Sequence, residues 1–263
     1  EIADQETAAY IETLTGDEKT EALSEARELQ WKNKAITELY EPGSVFKIVT
    51  GSAALEEKTI TLDTLFNCTG SFHVEGYEKA MHCWRLSGHG TQTFVEAMVN
   101  SCNPAFVAIG SSLGAETFCD YVNAFGFMEK TGVDLPGEAN SIVYQADQMG
   151  AVELASCSFG QSNKITPLQM ITATAAVVNG GYVLEPYIVS QVLDADGNVV
   201  LENGRTVLRQ AISESTSITM RDLMEKVVTE GTAKGAKTPG YRVGGKTATS
   251  QTLPRGSGRY ISS

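Results

Sequence analysis

Twenty consecutive residues, 165–184, carry no charge. Nothing else in the chain constrains its fold so tightly, because such a segment must lie either in lipid or inside a protein. Its composition chooses between the two. Pro167, Gln169, three threonines, Asn179 and the pair Gly180-Gly181 suit a buried helix of a water-soluble body better than a membrane span. Thr166-Pro167 opens that helix, and Asn179-Gly180-Gly181 closes it with residues that tolerate positive φ. A chain of 263 residues can enclose such a helix without disulfide or metal staples. It has no initiator Met and no signal peptide, so it is expected to be a piece of a longer protein.

The remaining pattern is mostly helical at first. Residues 1–40 read as an acidic helix and loop segment, and Glu41-Pro42-Gly43 breaks the chain ahead of an apolar helix beginning at Ser44. Residues 59–92 read as irregular, with Gly70, Gly76, Gly88 and Gly90 marking turns. Helices are expected at about 93–100, 104–113 and 115–125, then a loop over 130–148. Beyond 181 the apolar period changes to two. Asp194-Ala-Asp-Gly-Asn198 reads as a hairpin turn, a helix follows at about 214–230, and a strand is expected from Tyr241 into Thr249. The fold class is therefore α+β: a segment 1–40, a mainly helical lobe 41–180 and a strand-rich part 181–263.

Charge and cysteine content exclude several functions. A formal net charge of -12 argues against nucleic acid or anionic lipid as partner. The five cysteines, Cys68, Cys83, Cys102, Cys119 and Cys157, contain no C-x-x-C pair. Cys68 and Cys83 bracket a segment holding His73 and His82. A disulfide between them, two free thiols, or zinc are the readings, zinc being the weakest because the spacing matches no structural site pattern. Cys102, Cys119 and Cys157 read as small core residues.

Three short motifs carry chemistry together and little singly. In Ser44-x-x-Lys47 a helix turn places a hydroxyl beside an amine, which can take its proton if burial or another cation keeps the lysine neutral. With 20 Ser and 12 Lys, about one such pair arises by chance. Ser101-x-Asn103 is equally weak alone, since Asn103-Pro104 also reads as a helix start. For the third element, Lys130-Thr131-Gly132 is the literal Lys-Thr-Gly, but it belongs to a turn. Lys246-Thr247-Ala248 follows Arg242-Val-Gly-Gly in strand context, where a ligand can be laid along the backbone. Lys246 is taken as functional and Lys130 as the decoy.

With these residues in place the sequence resembles the transpeptidase domain of class B penicillin-binding proteins, members of the penicilloyl-serine transferases. The resemblance rests on Tyr40-Glu-Pro-Gly-Ser-Val-Phe-Lys47, Cys83-Trp-Arg, His89-Gly90, Ser101-Cys-Asn103, Glu129-Lys-Thr-Gly-Val-Asp-Leu-Pro-Gly137, Ser158-Phe-Gly-Gln161 and Thr166-Pro-Leu-Gln169. It runs from about residue 17 to the end, and the division and sporulation branch of Gram-positive bacteria is the most similar. It implies a β-lactamase-like fold, a helical lobe plus an antiparallel sheet.

The roles implied are specific. Ser44 is the nucleophile toward a D-Ala-D-Ala stem peptide of peptidoglycan, Lys47 its general base, and Ser101 a proton relay. Asn103 orients Lys47 and the substrate amide, Lys246 keeps the site electropositive, and Thr247 and Thr249 hold the terminal carboxylate. The backbone N–H groups of Ser44 and Thr249 make the oxyanion hole. β-Lactams are expected to acylate Ser44, with no metal or cofactor required. A membrane glycosyltransferase is the implied partner of the parent protein, at the extracytoplasmic face of the bacterial membrane. Ala248 stands where the family has Gly, residues 1–40 do not read as the family's first strands, and the chain stops at Tyr260-Ile-Ser-Ser263 inside an expected strand, so an incomplete sheet is expected. The alternatives are a D,D-carboxypeptidase, a serine β-lactamase, or a catalytically impaired scaffold of the same fold.

Overall fold

The computed structural model describes residues 2–249, together with the strand backbones at 251–252 and 261–262. The uncharged segment is helix α8 (Pro167–Val178), N-capped by the Thr166 hydroxyl in a reciprocal capping box with Gln169. It packs against α4 (Lys47–Glu56) and α9 (Glu214–Thr229). Helix α4 runs through the centre of the molecule, with every residue from Lys47 to Ala54 buried. One apolar cluster surrounds it, including Phe46, Phe106, Phe118 and Phe127. A helix buried on all sides needs no polar face, so this segment could be uncharged apart from Lys47.

The other helices are α1 (Gln5–Glu12), α2 (Gly16–Trp31), the short α3 (Lys34–Thr37), α5 (Phe94–Val99), α6 (Asn103–Ala124) and α7 (Ala151–Ser158). Helix α6 is interrupted at Gly114, whose φ of +76° and ψ of 164° are not helical, so its two halves are the helices expected at 104–113 and 115–125. Helix α7, packed against α6, lies outside the helices expected from the sequence. The region expected to be irregular contains short strands, β1 (Leu65–Cys68), β2 (Ser71–Phe72), β3 (Met81–His82) and β4 (Gly90–Thr93). Strand β1 pairs with β4 and β2 with β3, both antiparallel.

The strand-rich part holds β5 (Tyr182–Leu184), β6 (Gln191–Leu193), β7 (Val199–Glu202), β8 (Val207–Gln210), β9 (Gln251–Thr252) and β10 (Ile261–Ser262). Strands β6 and β7 form the hairpin signalled by Asp194–Asn198, whose turn is tied by the Asp194 carboxylate accepting from the Asp196 and Asn198 N–H groups. Strand β5 pairs with β8, and β9 with β10. All the described pairs are antiparallel and two-stranded. The strand expected from Tyr241 into Thr249 is corrected here: these residues carry no strand ladder, and the Gly245 N–H donates instead to the Met224 carbonyl of α9 at 3.1 Å. A period of two makes a strand only where a neighbouring backbone accepts it. Tyr260 and Ser263 lie outside the described residues. Among those described, no helix is long and apolar enough to cross a membrane.

Candidate active site

Ser44 lies on a single 3-10 turn, Gly43–Val45, that runs directly into α4. Two glycines make that turn possible. Gly43 has φ +53°, and a side chain there would sit 2.8 Å from the Thr249 carbonyl oxygen. Gly160 has φ +88°, and a Cβ there would sit 2.0 Å from the Gly43 carbonyl oxygen. The bare backbones therefore touch, and the Gly43 N–H donates to the Gly160 carbonyl at 2.9 Å. The Ser162 N–H donates to the Glu41 carboxylate at 3.0 Å, and Tyr40 and Ile165 exchange backbone bonds. The segment 158–165 is thus a brace that sets the angle at which Ser44 is presented.

Ser101 and Asn103 are positioned by a chain reversal between α5 and α6. Ser101 is in the left-handed region, with φ +53°. Its N–H donates to the Met98 carbonyl and that of Cys102 to the Ala97 carbonyl, the pair of bonds that ends a helix in a Schellman turn. That turn favours glycine, so a serine here stores strain of about 1 kcal/mol or more. Asn103-Pro104 then starts α6.

The third segment approaches from the far side. Gly244 lies so close to α9 that a Cβ would be 3.2 Å from the Met224 Cβ. Lys246 and Thr247 follow, and the Thr247 hydroxyl donates to the Thr232 hydroxyl at 2.8 Å. Ser44, Trp84, Ser101, Asn103, Thr232, Thr247, Ala248 and Thr249 line one cleft of about 330 Å³.

Lys47 is fully buried. Its Nζ donates to the Ser101 carbonyl at 2.8 Å, to the Ser101 hydroxyl at 3.2 Å and to Asn103 Oδ1 at 2.6 Å. Lys246 Nζ donates to the same Ser101 hydroxyl at 2.8 Å. Ser101 Oγ therefore bridges two lysines that lie 199 positions apart in the chain (246 − 47). Burial pushes the Lys47 ammonium well below its ordinary pKa, and the neighbouring Lys246 charge pushes it the same way. Burial also lowers Lys246, to about 8. The Ser44 hydroxyl, one turn before Lys47, has no hydrogen-bond partner among the described residues.

The structure thus brings together Ser44, Lys47, Ser101, Asn103, Lys246, Thr247, Ala248 and Thr249. Lys130-Thr131-Gly132 stays apart, in a turn where the Thr131 N–H and hydroxyl both donate to the buried Glu138 carboxylate. Ala248 lies over Gly43, its Cβ 3.6 Å from where a Gly43 side chain would begin. Cys68 and Cys83 are free thiols rather than a bridge. They converge on Cys102 and His89, a grouping no sequence spacing announces because its members lie at the ends of four separate elements. Thr232 gave no sequence signal. Trp84 reads from the sequence as either a cleft-lining or a packing aromatic, and it is exposed at the cleft with its indole N–H held by the Asn100 carbonyl at 2.8 Å.

Comparison with known proteins gives the family of the chain. The sequence model described as "Penicillin binding protein transpeptidase domain" matches residues 3–263. Stage V sporulation protein D of Bacillus subtilis is 42% identical over 232 residues, covering 88% of this chain and 35% of that protein. Penicillin-binding protein PbpB of Mycobacterium tuberculosis is 31% identical over 242 residues, covering 88% of this chain and 35% of that protein. The chain spans about a third of the length of these curated relatives. Among solved structures, penicillin-binding protein 3 of M. tuberculosis in complex with aztreonam superposes with a TM-score of 0.82 at 30% identity, over 91% of this chain and 54% of that one. The D,D-transpeptidase domain from Eggerthella lenta gives 0.79 at 27% identity, over 89% and 60%. The chain belongs to the penicillin-binding protein transpeptidase domain family.

Proposed function

We propose that this chain carries the catalytic centre of a peptidoglycan D,D-transpeptidase that works through an acyl-serine intermediate. The observation that carries the reading is the fully buried Lys47, held by Ser101 and Asn103 one helical turn from Ser44. A lysine whose ammonium is disfavoured by burial and by a second cation gives up its proton more readily than an exposed one, which is what a general base requires.

In the first half-reaction Ser44 Oγ attacks the carbonyl carbon of the penultimate D-Ala, and its proton passes to Lys47. The oxyanion is received by the backbone N–H groups of Ser44 and Thr249. As the C–N bond breaks, the proton returns through Ser101 to the departing D-Ala amine. Thr247 and Thr249 hold the terminal carboxylate, and Lys246 supplies the positive field. In the second half-reaction the amine of another stem peptide attacks the acyl-serine carbonyl, forming the cross-link and restoring Ser44. β-Lactams enter the same path, since ring opening leaves an acyl group on Ser44.

A β-lactamase of class A type needs a carboxylate to activate deacylating water, usually in a Glu-x-x-x-Asn pattern, which here occurs only at Glu96–Asn100, ahead of Ser101. Among its described residues the cleft is lined by none, and Glu96 is engaged as the capping partner of Thr93 at the start of α5. The same reading implies an extracytoplasmic location and a membrane glycosyltransferase as partner of the parent protein.

The test is intact-protein mass after incubation with benzylpenicillin, beside a Ser44→Ala control. One adduct per chain, absent from the control, is expected. Folded protein that forms none would refute acyl-serine catalysis by this chain, and would favour a scaffold in which Ala248 marks lost activity.

A further inference from the structure

Behind the turn that carries Ser101 and Asn103, the thiols of Cys68, Cys83 and Cys102 and a ring nitrogen of His89 all lie within 4.8 Å of one another. We propose that these four side chains form a tetrahedral Cys₃His site for a structural zinc ion, and that the ion fixes the Ser-x-Asn turn from behind.

The donor set fits the ion. Three sulfurs and one imidazole make a closed structural zinc site, while a hard cation such as calcium or magnesium would need oxygen. Cys83 Sγ and His89 Nδ1 are 3.6 Å apart. With Zn–S of about 2.3 Å and Zn–N of about 2.0–2.1 Å, one tetrahedron edge comes to about 3.6 Å. All three cysteines are buried, forming with Ala97 and Ala105 a small cluster separate from the main core. His89 Nε2 is also buried, with no hydrogen-bond partner.

The backbone is folded as a cage for such an ion. Cys68 ends β1, Cys83 follows β3, His89 precedes β4, and Cys102 caps α6. Two glycines let the flanking turns touch. A Cβ at Gly70 would lie 1.9 Å from the Leu86 carbonyl oxygen, and one at Gly88 would lie 2.2 Å from the Cys68 carbonyl oxygen. The Cys83 N–H donates to the Gly70 carbonyl at 3.0 Å. This compression draws four donors from a 35-residue span (68–102) to one point with little other apolar packing.

The position gives the ion a consequence. Cys102 is the residue between Ser101 and Asn103, so a bond from its sulfur to the metal restrains both neighbours. Asn103 Nδ2 donates to the His82 carbonyl at 3.2 Å, adjacent to Cys83, so Asn103 is tied to the cage at a second point. Binding is an acid–base event without redox: the thiols give their protons to solvent, and the ion remains Zn²⁺.

The experiment uses the whole chain, isolated reduced and free of chelator. Elemental analysis is expected to find one zinc per chain. After stripping, a cobalt(II) titration should end at one equivalent, with tetrahedral d–d bands and thiolate charge transfer. Cys68→Ser and His89→Ala should each weaken zinc binding by more than about 100-fold, while Cys119→Ser and Cys157→Ser should bind like the parent chain. Folded, fully reduced parent that takes up neither ion overturns the proposal. So does protein whose thiols, trapped at lysis, are found joined as a Cys83–Cys102 or Cys68–Cys83 disulfide. Metal removal should also slow acylation of Ser44 at least tenfold. That readout alone rests on the function proposed above; a chain that binds zinc and never acylates refutes the function and leaves the metal site standing.

Discussion

The brace beneath Ser44 gives the sharpest test of how the site is built. Gly160→Ala adds one methyl group where the nearest atom, the Gly43 carbonyl oxygen, is 2.0 Å away. Ordinary contact begins at 3.4 Å, so the two turns must part by about 1.4 Å (3.4 − 2.0). At φ +88° an L-residue costs about 1–2 kcal/mol by itself. The forced separation adds about 1–3 kcal/mol, and the lost Gly43–Gly160 hydrogen bond about 1 kcal/mol. A total near 4 kcal/mol lowers Tm by roughly 8–16 °C in a chain of this size. Moving the turn that presents the nucleophile by about 1 Å should also slow acylation about 100-fold. The matched control is Gly197→Ala, in the β6–β7 turn. Its φ is +86°, and nothing lies within 4 Å of an added Cβ. It shares the backbone strain and lacks the collision, so it should lose about 1–2 kcal/mol and acylate normally. Thermal unfolding and the rate of fluorescent-penicillin labelling read both variants. If Gly160→Ala labels at the parent rate and melts with the Gly197→Ala protein, the brace does not set the position of Ser44.

Other perturbations address the lysines. Asn103→Ala removes the Oδ1 that accepts from Lys47 Nζ at 2.6 Å; a stability loss of about 1–3 kcal/mol and labelling slowed by at least tenfold should appear in denaturant titration and the labelling assay. The pH profile of acylation should have two limbs. It rises as Lys47 loses its proton, below the ordinary lysine range because burial disfavours the ammonium, and it falls above pH about 8 as Lys246 becomes neutral; Lys246→Met should abolish the alkaline fall, and its persistence would show that Lys246 is not its source. Ser101→Gly and Ser101→Ala both remove the hydroxyl and should both lose activity. Only glycine relieves φ +53°, so the glycine variant should be the more stable of the two by about 1–2 kcal/mol in the same titration.

What the sequence disclosed was local and what it withheld was long-range. Thr166-Pro167 and Asn179-Gly180 named the ends of α8 because capping chemistry is contained in a few adjacent residues. Gly114 marked the break between the helical runs 104–113 and 115–125, because a residue at positive φ is a local signal. Residues 241–249 alternate like a strand, yet whether alternation becomes a strand depends on a partner elsewhere in the chain. Ser44, Lys47, Ser101, Asn103 and 246–249 were assembled from three weak motifs plus a family resemblance, and Ser101 Oγ links the three motifs by accepting from both Lys47 and Lys246. The cysteine cluster stayed hidden for a related reason. Cys68 and Cys83 were visible as a pair, but Cys102 reads as a core residue until the reversal between α5 and α6 turns its sulfur toward them.

That reversal explains why so much strain and burial is concentrated at one point. A lysine with no exposed surface is a liability in a core unless its amine is satisfied. Here three acceptors satisfy Lys47, two from Ser101 and one from Asn103. A serine held in the left-handed region can offer both its carbonyl and its hydroxyl to one amine while still ending α5; an extended or helical Ser101 would lose the bonds that close that helix. The backbone strain at Ser101 and the desolvation of Lys47 are therefore coupled costs. They are sustained by the packing of α4, α5 and α6, and the result is a lysine whose ammonium burial disfavours, one turn from a serine hydroxyl. Relieving either cost alone removes the chemistry the other supports, which is why variants at Ser101 and Asn103 should fall together in activity while moving stability by different amounts.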